Sequence, residues 1–448
     1  MALYHAAIYD DANTVESYWE ATVEREPTLG EPLGTDQRCD VAVIGGGFTG
    51  LSAALHLARD YGVDVRVLES GVMGWGASGR NGGFCGVGGT KLSVRGLIDR
   101  YGLEEAQRYY RCQLEGVELV RELSEQESID CEIVGDGYFE VAHSPQRFDA
   151  ICESAGTFSR LFSIPSEIYS REAFAEAGHD STEQFGAVEL KAGFAIHPLK
   201  LCLGLARAAE RHGAGLHPHS RVVDWHKEAD LHVLRTAAGG CLRARRVVVA
   251  TNGFTRDEMH QAFSGVTLPA LSNIITTRVL SESELEAHRF RTLSPVCNSR
   301  VLLFYYRRLP DGRLLFGARG DTTGAPASGL QMKHWMIRRF GEVFPAWRDV
   351  EIEHFWRGLV CVTRRLTPCV GQLESDASVW YGFGYHANGV NTAPWVGRAL
   401  AVNLAGANTS RITIPAVMRG LSRPFPMPRL RLWGLRAAYL YYRYADSR

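Results

Sequence analysis

Three glycines near the start of the chain have a spacing that suits the binding of a phosphate group. Gly45, Gly47 and Gly50 fit the pattern G-x-G-x-x-G, between the apolar, β-branched run 39–44 and the helically spaced segment 48–61. The first glycine of such a turn allows a tight bend, the second lets the backbone approach a pyrophosphate, and the third lets the helix pack on the strand. The N-terminus of the helix presents free amide groups to an anion.

An acidic residue completes this motif. Residues 63–68 predict a second strand, and Glu69 follows nineteen residues after Gly50. A carboxylate at that position can accept hydrogen bonds from ribose hydroxyls. Strand, helix and strand within about thirty residues are typical of a βαβ unit, so the sequence predicts a dinucleotide site. A glycine turn used only for packing does not explain Glu69.

Glycine is also concentrated after this unit. Fourteen of the 47 glycines lie between Gly45 and Gly89, and residues 74–83 read G-W-G-A-S-G-R-N-G-G. A loop so rich in glycine can lie flat against a planar ring, with polar contacts from Ser78, Arg80 and Asn81. The alternative for this stretch is a flexible surface loop.

Composition excludes several classes of protein. The chain has 448 residues, 45% of them hydrophobic, and 49 Lys and Arg against 50 Asp and Glu. A disordered polymer, a collagen-like repeat and a strongly charged nucleic-acid-binding protein are therefore not expected. The ten cysteines are scattered without a C-x-x-C pair, which predicts reduced, mostly buried thiols in the cytoplasm and no metal site. We expect neither a signal peptide nor a membrane-spanning helix.

The elements that must position the glycine motif follow from hydrophobic periodicity. Helices are expected over 95–127, 145–162, 197–214 and 332–344, and a buried strand over 242–250. The runs 274–280, 301–307 and 313–318 predict antiparallel strands, the last two joined by the turn Leu-Pro-Asp-Gly. The predicted fold class is α/β, with a Rossmann-like dinucleotide-binding domain interleaved with an α+β domain built on a mostly antiparallel sheet.

Four segments carry a resemblance to a known family. They are the loop 74–83, the strand and turn 246–253, the stretch 356–368 with W-R-G, T and P, and the segment 384–394 that reads G-Y-H-A-N-G-V-N-T-A-P. Together they resemble the FAD-dependent family of amine and amino-acid oxidoreductases that includes glycine/D-amino-acid oxidase and sarcosine oxidase. Tyr18 and Trp19, with the glycine loop, favour the γ-glutamylputrescine oxidase-like branch.

The resemblance implies a domain division and a set of FAD-binding residues. The division is an arm over 1–37, an FAD-binding domain over 38–95, 195–268 and 355–420, a substrate domain over 96–194 and 269–354, and a basic, aromatic tail over 421–448. The expected cofactor-binding residues are Gly45, Gly47, Phe48, Thr49, Gly50, Glu69, Gly76, Ala77, Ser78, Arg80, Asn81, Gly82, Gly83, Val222, Thr251, Gly384, Gly389, Val390 and Asn391.

The implied activity is oxidation of the C–N bond of a small amine or amino acid. A hydride equivalent passes to flavin N5 and the resulting imine hydrolyses; the substrate is a secondary amine, an N-alkyl or D-amino acid, or a polyamine derivative. His386, inside the flavin-side motif, is a candidate for proton handling near neutral pH or for packing alone. Tyr305 and Tyr306 are candidate walls of the site. A substrate carboxylate calls for an arginine, and the candidates are Arg80, Arg278, Arg319 and Arg357, with Arg319 favoured.

The sequence departs from sarcosine oxidases in two respects. Some of those enzymes attach FAD through a cysteine shortly before the T-P step; here Val362 occupies that place and Cys361 is one residue off, which predicts non-covalent FAD. The place of their oxygen-activating lysine corresponds to the apolar run 314–317. The electron acceptor is therefore oxygen or an electron carrier.

Other interpretations of the function remain open at this point. A nicotinamide-only dehydrogenase leaves the segments 74–83 and 384–394 unexplained, and a non-catalytic FAD-binding subunit of a larger oxidase is a further alternative.

The tail, rich in arginine and aromatic residues from Phe425 onward, suits contact with a membrane or a partner. Packing against the protein's own body is the commoner outcome and is the expectation for the tail.

Overall fold

The structure, a computed structural model, describes residues 3–25, 29–88, 90–406 and 412–446. Gly89 at the end of the glycine-rich segment, and residues 1–2, 26–28 and 447–448 of the predicted arm and tail, lie outside the described residues. The helices are α1 Tyr18–Ala21, α2 Phe48–Tyr61, α3 Val94–Tyr101, α4 Leu103–Gln126, α5 Pro145–Phe162, α6 Arg171–Ala177, α7 Pro198–Arg211, α8 Glu282–Ala287, α9 Pro326–Val343, α10 Gly389–Ala405 and α11 Arg431–Asp446.

The strands are β1 Gln37–Ile44, β2 Val65–Leu68, β3 Phe84–Gly86, β4 Tyr138–Val141, β5 Ser166–Tyr169, β6 Ala187–Leu190, β7 Gly193–Ala195, β8 Gly215–His217, β9 Val222–Glu228, β10 Leu231–Thr236, β11 Cys241–Val249, β12 Thr267–Thr277, β13 Val296–Asn298, β14 Phe304–Arg308, β15 Leu314–Arg319, β16 Ile352–Thr363, β17 Cys369–Gln372 and β18 Val379–Phe383. They form two large sheets and a small β3–β7 pair.

The first sheet contains the predicted βαβ unit. Its order is β17-β18-β11-β1-β2-β8, parallel from β18 to β8, with the β9–β10 hairpin attached to β11. Val41 and Val43 of β1 pack into the core that contains α2, whereas Ala42 and Ile44 pack into a separate core on the other face. Burial on both faces explains why this strand is an uninterrupted apolar run.

The second sheet is mostly antiparallel, as predicted. Its order is β16-β12-β15-β14-β13-β4-β6-β5, with β13 and β4 running parallel. β16 pairs with β12 from Thr363 to Ile352, so this segment belongs to the second sheet. The sequence-based division at residue 355 places most of it in the FAD-binding domain. The turn at Leu309–Gly312 joins β14 to β15 as expected.

The single helix expected over 95–127 is two helices. α3 ends at Tyr101 and α4 begins at Leu103, because Gly102 between them adopts a φ of +84°. That left-handed backbone suits glycine and interrupts helical hydrogen bonding. α4 packs on α10, and α2 packs on both α7 and α10.

The tail packs on the protein's own body. Leu432 and Tyr439 of α11 are buried, and Arg431 forms an ion pair with Asp257 at 2.9 Å. The carboxylate of Asp446 accepts hydrogen bonds from the backbone amides of residues 301 and 302. Other side chains of the helix are exposed, so contact with a membrane or partner stays a prediction. No helix among the described residues is both long and apolar enough to span a bilayer.

The N-terminal arm is fixed to the body through Trp19. This side chain is fully buried, contacts the rings of His197 and Trp356, and donates a hydrogen bond from Nε1 to the backbone oxygen of Asn81 at 2.9 Å. The arm is therefore attached to the glycine loop that the sequence singled out.

We expect Trp19→Ala to lower the free energy of unfolding by about 3 to 5 kcal/mol, because it leaves a large cavity and removes the partner of a backbone oxygen. Trp433→Ala is the matched control: Trp433 is 64% exposed, and its loss should change stability by less than about 0.5 kcal/mol. Urea unfolding followed by circular dichroism measures both. Equal effects of the two substitutions would contradict the anchoring role of Trp19.

Candidate active site

A cavity of about 990 Å³ lies where the two sheets meet. On one side it is lined by the carboxyl ends of β1 and β2 and by the residues that follow β11, at Ile44, Leu68 and Ala250. On the other side it is lined by one face of the second sheet. Ligands bind at the carboxyl ends of parallel strands in folds of this kind, so this cavity is the candidate active site.

The glycine turn between β1 and α2 forms the floor of the first half. A Cβ on Gly45, whose φ is +114°, would lie 2.8 Å from the backbone oxygen of Ala250, and a Cβ on Gly50 would lie 1.9 Å from that of Gly45. A Cβ on Gly47 would lie 2.7 Å from Oγ of Ser78. The N-cap residue of α2 offers no side chain, and the amide of the first helical residue donates to Oγ of Ser78. The amides that follow it in the first turn are available to an anion in the cavity.

The carboxylate of Glu69 lies beside this turn. It accepts hydrogen bonds from the backbone amides of Gly46 at 2.6 Å and Gly71 at 3.1 Å, and from the hydroxyl of Ser70 at 3.1 Å. Burial raises the pKa of Glu69, and the hydrogen bonds from Gly71 and Gly46 act in the opposite direction. An ionised carboxylate can accept further hydrogen bonds, so the position remains suited to a ribose.

The loop 74–83 holds its own shape. The side chain of Asn81 donates to the backbone oxygens of Ala77 and Ser78 and accepts from the amide of Gly83 at 2.8 Å. The hydroxyl of Ser78 accepts from the amide of Phe48, the first residue of α2, at 2.9 Å. Asn81 therefore stabilises the loop from within, whereas Ser78 links the loop to the phosphate-binding turn.

Within this loop, Arg80 has a buried hydrogen-bond donor without a partner in the described part of the chain, which indicates a ligand-binding role. Its Nε donates to the backbone oxygen of Trp75 at 2.7 Å, and its guanidinium lies 4.2 Å from the centre of the Trp75 ring. Its Nη2 is buried and has no hydrogen-bond partner among the described residues. Burial lowers the pKa of Arg80 to about 10, which still leaves the group charged at neutral pH. A buried cation with an unused donor in the cavity wall fits an acceptor of a large anionic cofactor, as FAD is.

A second helix N-terminus faces the same cavity. Gly389 and Val390 begin α10 and line the cavity, and no side chain caps this helix. Gln113, buried in α4, accepts hydrogen bonds at Oε1 from the side chains of Asn388 and Thr392. Gln113 thereby fixes the start of α10, a role that sequence reasoning missed although a lone glutamine on an apolar helix face could have indicated it.

His386 lies beside the start of α10 in a left-handed backbone, with a φ of +52°. The hydroxyl of Thr363 donates to the backbone oxygen of Thr367, so Nε2 of His386 is the donor to Thr363 at 3.3 Å. Nδ1 is then an acceptor, buried and without a partner among the described residues.

The protonation state of His386 bears on the two roles expected for it, proton handling near neutral pH and packing alone. Burial, followed by the charge of Lys91, lowers the pKa of His386 to about 3, so the ring is neutral at pH 7. Titration of His386 near neutral pH is therefore not supported, because burial, and after it the cations of the cavity wall, disfavour a charged imidazole.

The second sheet presents one continuous row of side chains to the cavity. Glu140 pairs with Cys297, Cys297 with Tyr305, and Tyr305 with Gly317, on the adjacent strands β4, β13, β14 and β15. Paired residues on neighbouring strands point to the same face. Three of these side chains line the cavity, and Gly317 leaves room for the ring of Tyr305, since a Cβ there would lie 2.0 Å from that ring.

Two residues further along β15, Arg319 points to the same face. Its partner on β12 is Ser272, whose hydroxyl hydrogen-bonds to the hydroxyl of Tyr305 at 2.8 Å. Tyr305 and Arg319 therefore stand together in the cavity, as the sequence proposed. Tyr306 does not face the cavity, because alternate residues of a strand point to opposite sides of the sheet. It is buried in the hydrophobic core on the other face of the second sheet and hydrogen-bonds to His179 at 3.0 Å.

Lys91 is a functional candidate that sequence reasoning missed. It lies in the segment before α3, is exposed to the cavity, and is close enough to Arg319 for that charge to affect its pKa. Burial within the surrounding protein, followed by Arg319, lowers the pKa of Lys91 to about 8. A lysine in a loop carries no periodic signal, so its position could not be read from the chain.

The other candidate arginines are engaged elsewhere. Arg278 pairs with Glu284 at 2.6 Å, and Arg357 pairs with Asp321 at 2.9 Å; neither lines the cavity.

Most of the predicted cofactor-binding residues line the cavity. They are Gly45, Gly47, Phe48, Thr49, Glu69, Gly76, Ala77, Ser78, Arg80, Asn81, Gly82, Val222, Thr251, Gly389 and Val390.

Four of the predicted residues do not line it. Gly50 and Gly83 act through close backbone packing, Gly384 donates its amide to the side chain of Asn252 at 2.9 Å, and Asn391 donates to Gln113 inside the core.

The cysteines fit the expectation of buried thiols. All ten are free, and eight of them are buried. Cys361 lines the cavity, and burial raises its pKa far above the ordinary range, so a thiolate that could attack a flavin is disfavoured. Non-covalent FAD stays a prediction. Among the described residues no group of three or more potential metal ligands was found.

Comparisons with known proteins agree with this geometry. The profile of the DAO family, described as FAD dependent oxidoreductase, matches residues 40–402. The chain is 32% identical over 395 residues to gamma-glutamylputrescine oxidoreductase of Escherichia coli K12, covering 87% of this chain and 89% of that protein. It is 30% identical to probable oxidoreductase OrdL of Rhizobium meliloti, covering 90% and 92%.

A solved structure supports the fold. Glycine oxidase from Geobacillus kaustophilus superimposes with a TM-score of 0.69 at 22% identity, covering 87% of this chain and all of that one.

We expect Gly50→Ala to weaken FAD binding about tenfold or more, because a Cβ 1.9 Å from the oxygen of Gly45 must displace the phosphate-binding turn. Gly156→Ala is the matched control, since a Cβ at Gly156, inside α5, meets no atom within 4 Å. Flavin absorbance per mole of purified protein, followed by titration of the apoprotein with FAD, measures the effect. Full flavin content in both variants would show that the turn does not bind the cofactor.

Proposed function

The chain belongs to the DAO family of FAD-dependent oxidoreductases, and we propose that it oxidises the C–N bond of a small amine or amino acid whose carboxylate is bound by Arg319 and Lys91. The observation that carries this proposal is the row of polar side chains on the second sheet, which faces the N-termini of α2 and α10 across one cavity.

The chain supplies a complete set of groups to hold FAD. The amides at the start of α2 suit the pyrophosphate, Glu69 suits a ribose, and Arg80 offers its unused Nη2. The start of α10 provides a positive dipole end, which stabilises the negative charge that a reduced flavin carries. When bound, FAD supplies the acceptor for the hydride equivalent that leaves the carbon next to the amine nitrogen.

The protein's own task is to orient the substrate. Arg319 offers a planar fork to a carboxylate and Lys91 adds a second charge beside it, while Tyr305, held by Ser272, forms the adjacent wall. A fixed carboxylate restricts the orientation of the neighbouring C–H bond, which is how such a site accelerates reaction. The imine formed then hydrolyses in water to a carbonyl compound and an amine.

Oxidation of the substrate amine requires no charged histidine in the site. His386 is neutral across the working range because of its low pKa, so the site favours a substrate amine that binds without its proton. The free Nδ1 of His386 offers an acceptor to the cofactor or substrate. The kinship with gamma-glutamylputrescine oxidoreductase favours a polyamine derivative as one substrate candidate.

The acceptor of electrons is the second part of this proposal. In the place where the family resemblance leads us to expect an oxygen-activating lysine, β15 has buried apolar residues, which favours an electron-carrier-linked dehydrogenase. Lys91 brings a positive charge into the cavity from a different segment, which favours reaction with oxygen. Rates of reoxidation of the reduced holoenzyme by oxygen and by an artificial electron acceptor distinguish the two.

Anaerobic mixing of the holoenzyme with a panel of compounds tests the activity. The panel contains N-methyl amino acids, cyclic imino acids, D-amino acids, ordinary amino acids and polyamine derivatives. We expect at least one class to bleach the flavin with formation of a carbonyl product, and Arg319→Met to raise KM for carboxylate substrates far more than it changes kcat. A flavin that no amine bleaches would instead indicate a non-catalytic FAD-binding subunit.

Carboxylate binding should depend on pH through Lys91. Its pKa of about 8 means that it is charged below pH 8 and loses its charge above it, whereas His386, at about 3, and Cys297, at about 12, do not titrate between pH 6 and 9.5. We therefore expect the Kd of acetate, measured by perturbation of flavin absorbance, to be constant below pH 8 and to rise above it. In Lys91→Met the Kd should be higher and independent of pH over this range. A wild-type Kd that falls above pH 8 would contradict the assignment.

A further inference from the structure

The substrate half of the cavity contains three charged side chains that the protein leaves unpaired. Lys91, Arg319 and Glu140 all line the cavity, and none has a hydrogen-bond or ion-pair partner for its side chain among the described residues. Lys91 and Arg319 are the pair assigned above to a carboxylate. Glu140 has no role in that assignment.

The sheet register separates Glu140 from Arg319. Glu140 is on β4 and Arg319 on β15, with β13 and β14 between them, so their strands are three spacings apart, about 14 Å at the backbone. Cys297 and Tyr305 occupy the intervening strands on the same face. Burial is the only cause of the shift in the pKa of Glu140, so neither cation is close enough to pair with it, and the opposite charges mark two parts of one compartment.

An unpaired, ionised Glu140 side chain costs free energy in this position. Protein atoms surround it, its side chain is only partly exposed, and burial alone raises its pKa. An unpaired carboxylate in such surroundings gains free energy when a cation binds to it. The neighbouring groups, Tyr138 and Cys297, are uncharged at neutral pH because burial raises the pKa of each.

We propose that Glu140 is a cation-binding subsite for a second amino group of the substrate, so that the enzyme selects compounds with one carboxylate and two amino groups. This inference rests on the proposed function for the identity of the reacting amine. That amine must be neutral to be oxidised, and a carboxylate stabilises the protonated form of whatever amine it contacts. Glu140 therefore suits the amine that is not oxidised.

The geometry gives each charged group one task. Arg319 and Lys91 bind the carboxylate, and both lie close enough to His386 to lower its pKa, which places this end near the start of α10. Glu140 binds the ammonium at the opposite end of the row, within the cavity that Tyr110 and Phe158 also line. Compounds that lack the second amine leave the partly exposed carboxylate of Glu140 without a partner, which lowers their affinity relative to diamino compounds.

A matched series of ligands tests the proposal on the holoenzyme. The diamino carboxylates 2,4-diaminobutanoate, ornithine and lysine are compared, at equal chain length, with 2-aminobutanoate, norvaline and norleucine. Dissociation constants come from perturbation of the flavin spectrum under anaerobic conditions. We expect the diamino compound of at least one length to bind about tenfold or more tightly than its monoamino counterpart.

Glu140→Gln should remove this preference without weakening the binding of the monoamino compounds. Glu167→Gln, on the edge strand β5 of the same sheet and outside the cavity, is the control and should keep the preference. No preference at any of the three lengths in the wild type, or a preference that persists in Glu140→Gln, overturns the proposal.

Binding and reaction separate the two hypotheses. A preference for diamino ligands without bleaching by any compound supports the subsite and contradicts the proposed oxidation. Bleaching by monoamino and diamino compounds alike, with equal dissociation constants, supports the oxidation and contradicts the subsite.

Discussion

The loop 74–83 is the connection on which the arrangement of the cavity depends, because its hydrogen bonds reach both sheets. The amide of Gly74 donates to the oxygen of Gly46 in the phosphate-binding turn at 3.0 Å. At the other end, Nε1 of Trp356 on β16 donates to the oxygen of Arg80 at 2.8 Å, and Trp19 of the arm holds Asn81. The distance between the cofactor end and the substrate face is thereby set by hydrogen bonds to the backbone of this loop. A side chain at Gly79, where a Cβ would lie 2.3 Å from the oxygen of Gly74, would disturb it.

Positive potential is the second common property of the site. Two helix N-termini, the buried guanidinium of Arg80, and the side chains of Arg319 and Lys91 all border one cavity. Burial is the main reason that the pKa values of His386 and Lys91 are lowered, and the neighbouring cations add to the effect. Such a cavity favours an anionic cofactor and the carboxylate of a substrate, and it makes the single carboxylate of Glu140 on the substrate face distinctive.

Local patterns predicted the parts of the molecule that depend on neighbours in sequence. The glycine spacing from Gly45 to Gly50, the apolar run of β1 and the turn at 309–312 each carry their own conformational signal, and the structure contains all three. The same holds for Glu69, whose distance from the motif is set by one helix and one strand. Long-range pairing is different: Ile352–Thr363 lies in the second sheet because it pairs with β12, and no local pattern in the sequence reports that contact.

The sequence alone thus determined the cofactor-binding half, because a glycine turn, a helix N-terminus and an acidic residue are built within a single βαβ unit. Only the tertiary structure decided the substrate half. Glu140, Tyr305 and Arg319 come from strands that are distant in the chain, and sheet register places them on one face, while Tyr306 turns away. Lys91 joins them from a loop, and the neutral state of His386 results from desolvation and from charges that reach it only in the folded chain. Strand register and burial depend on contacts between residues that are distant in the chain. For that reason the residues that recognise the substrate could not be predicted from the sequence alone.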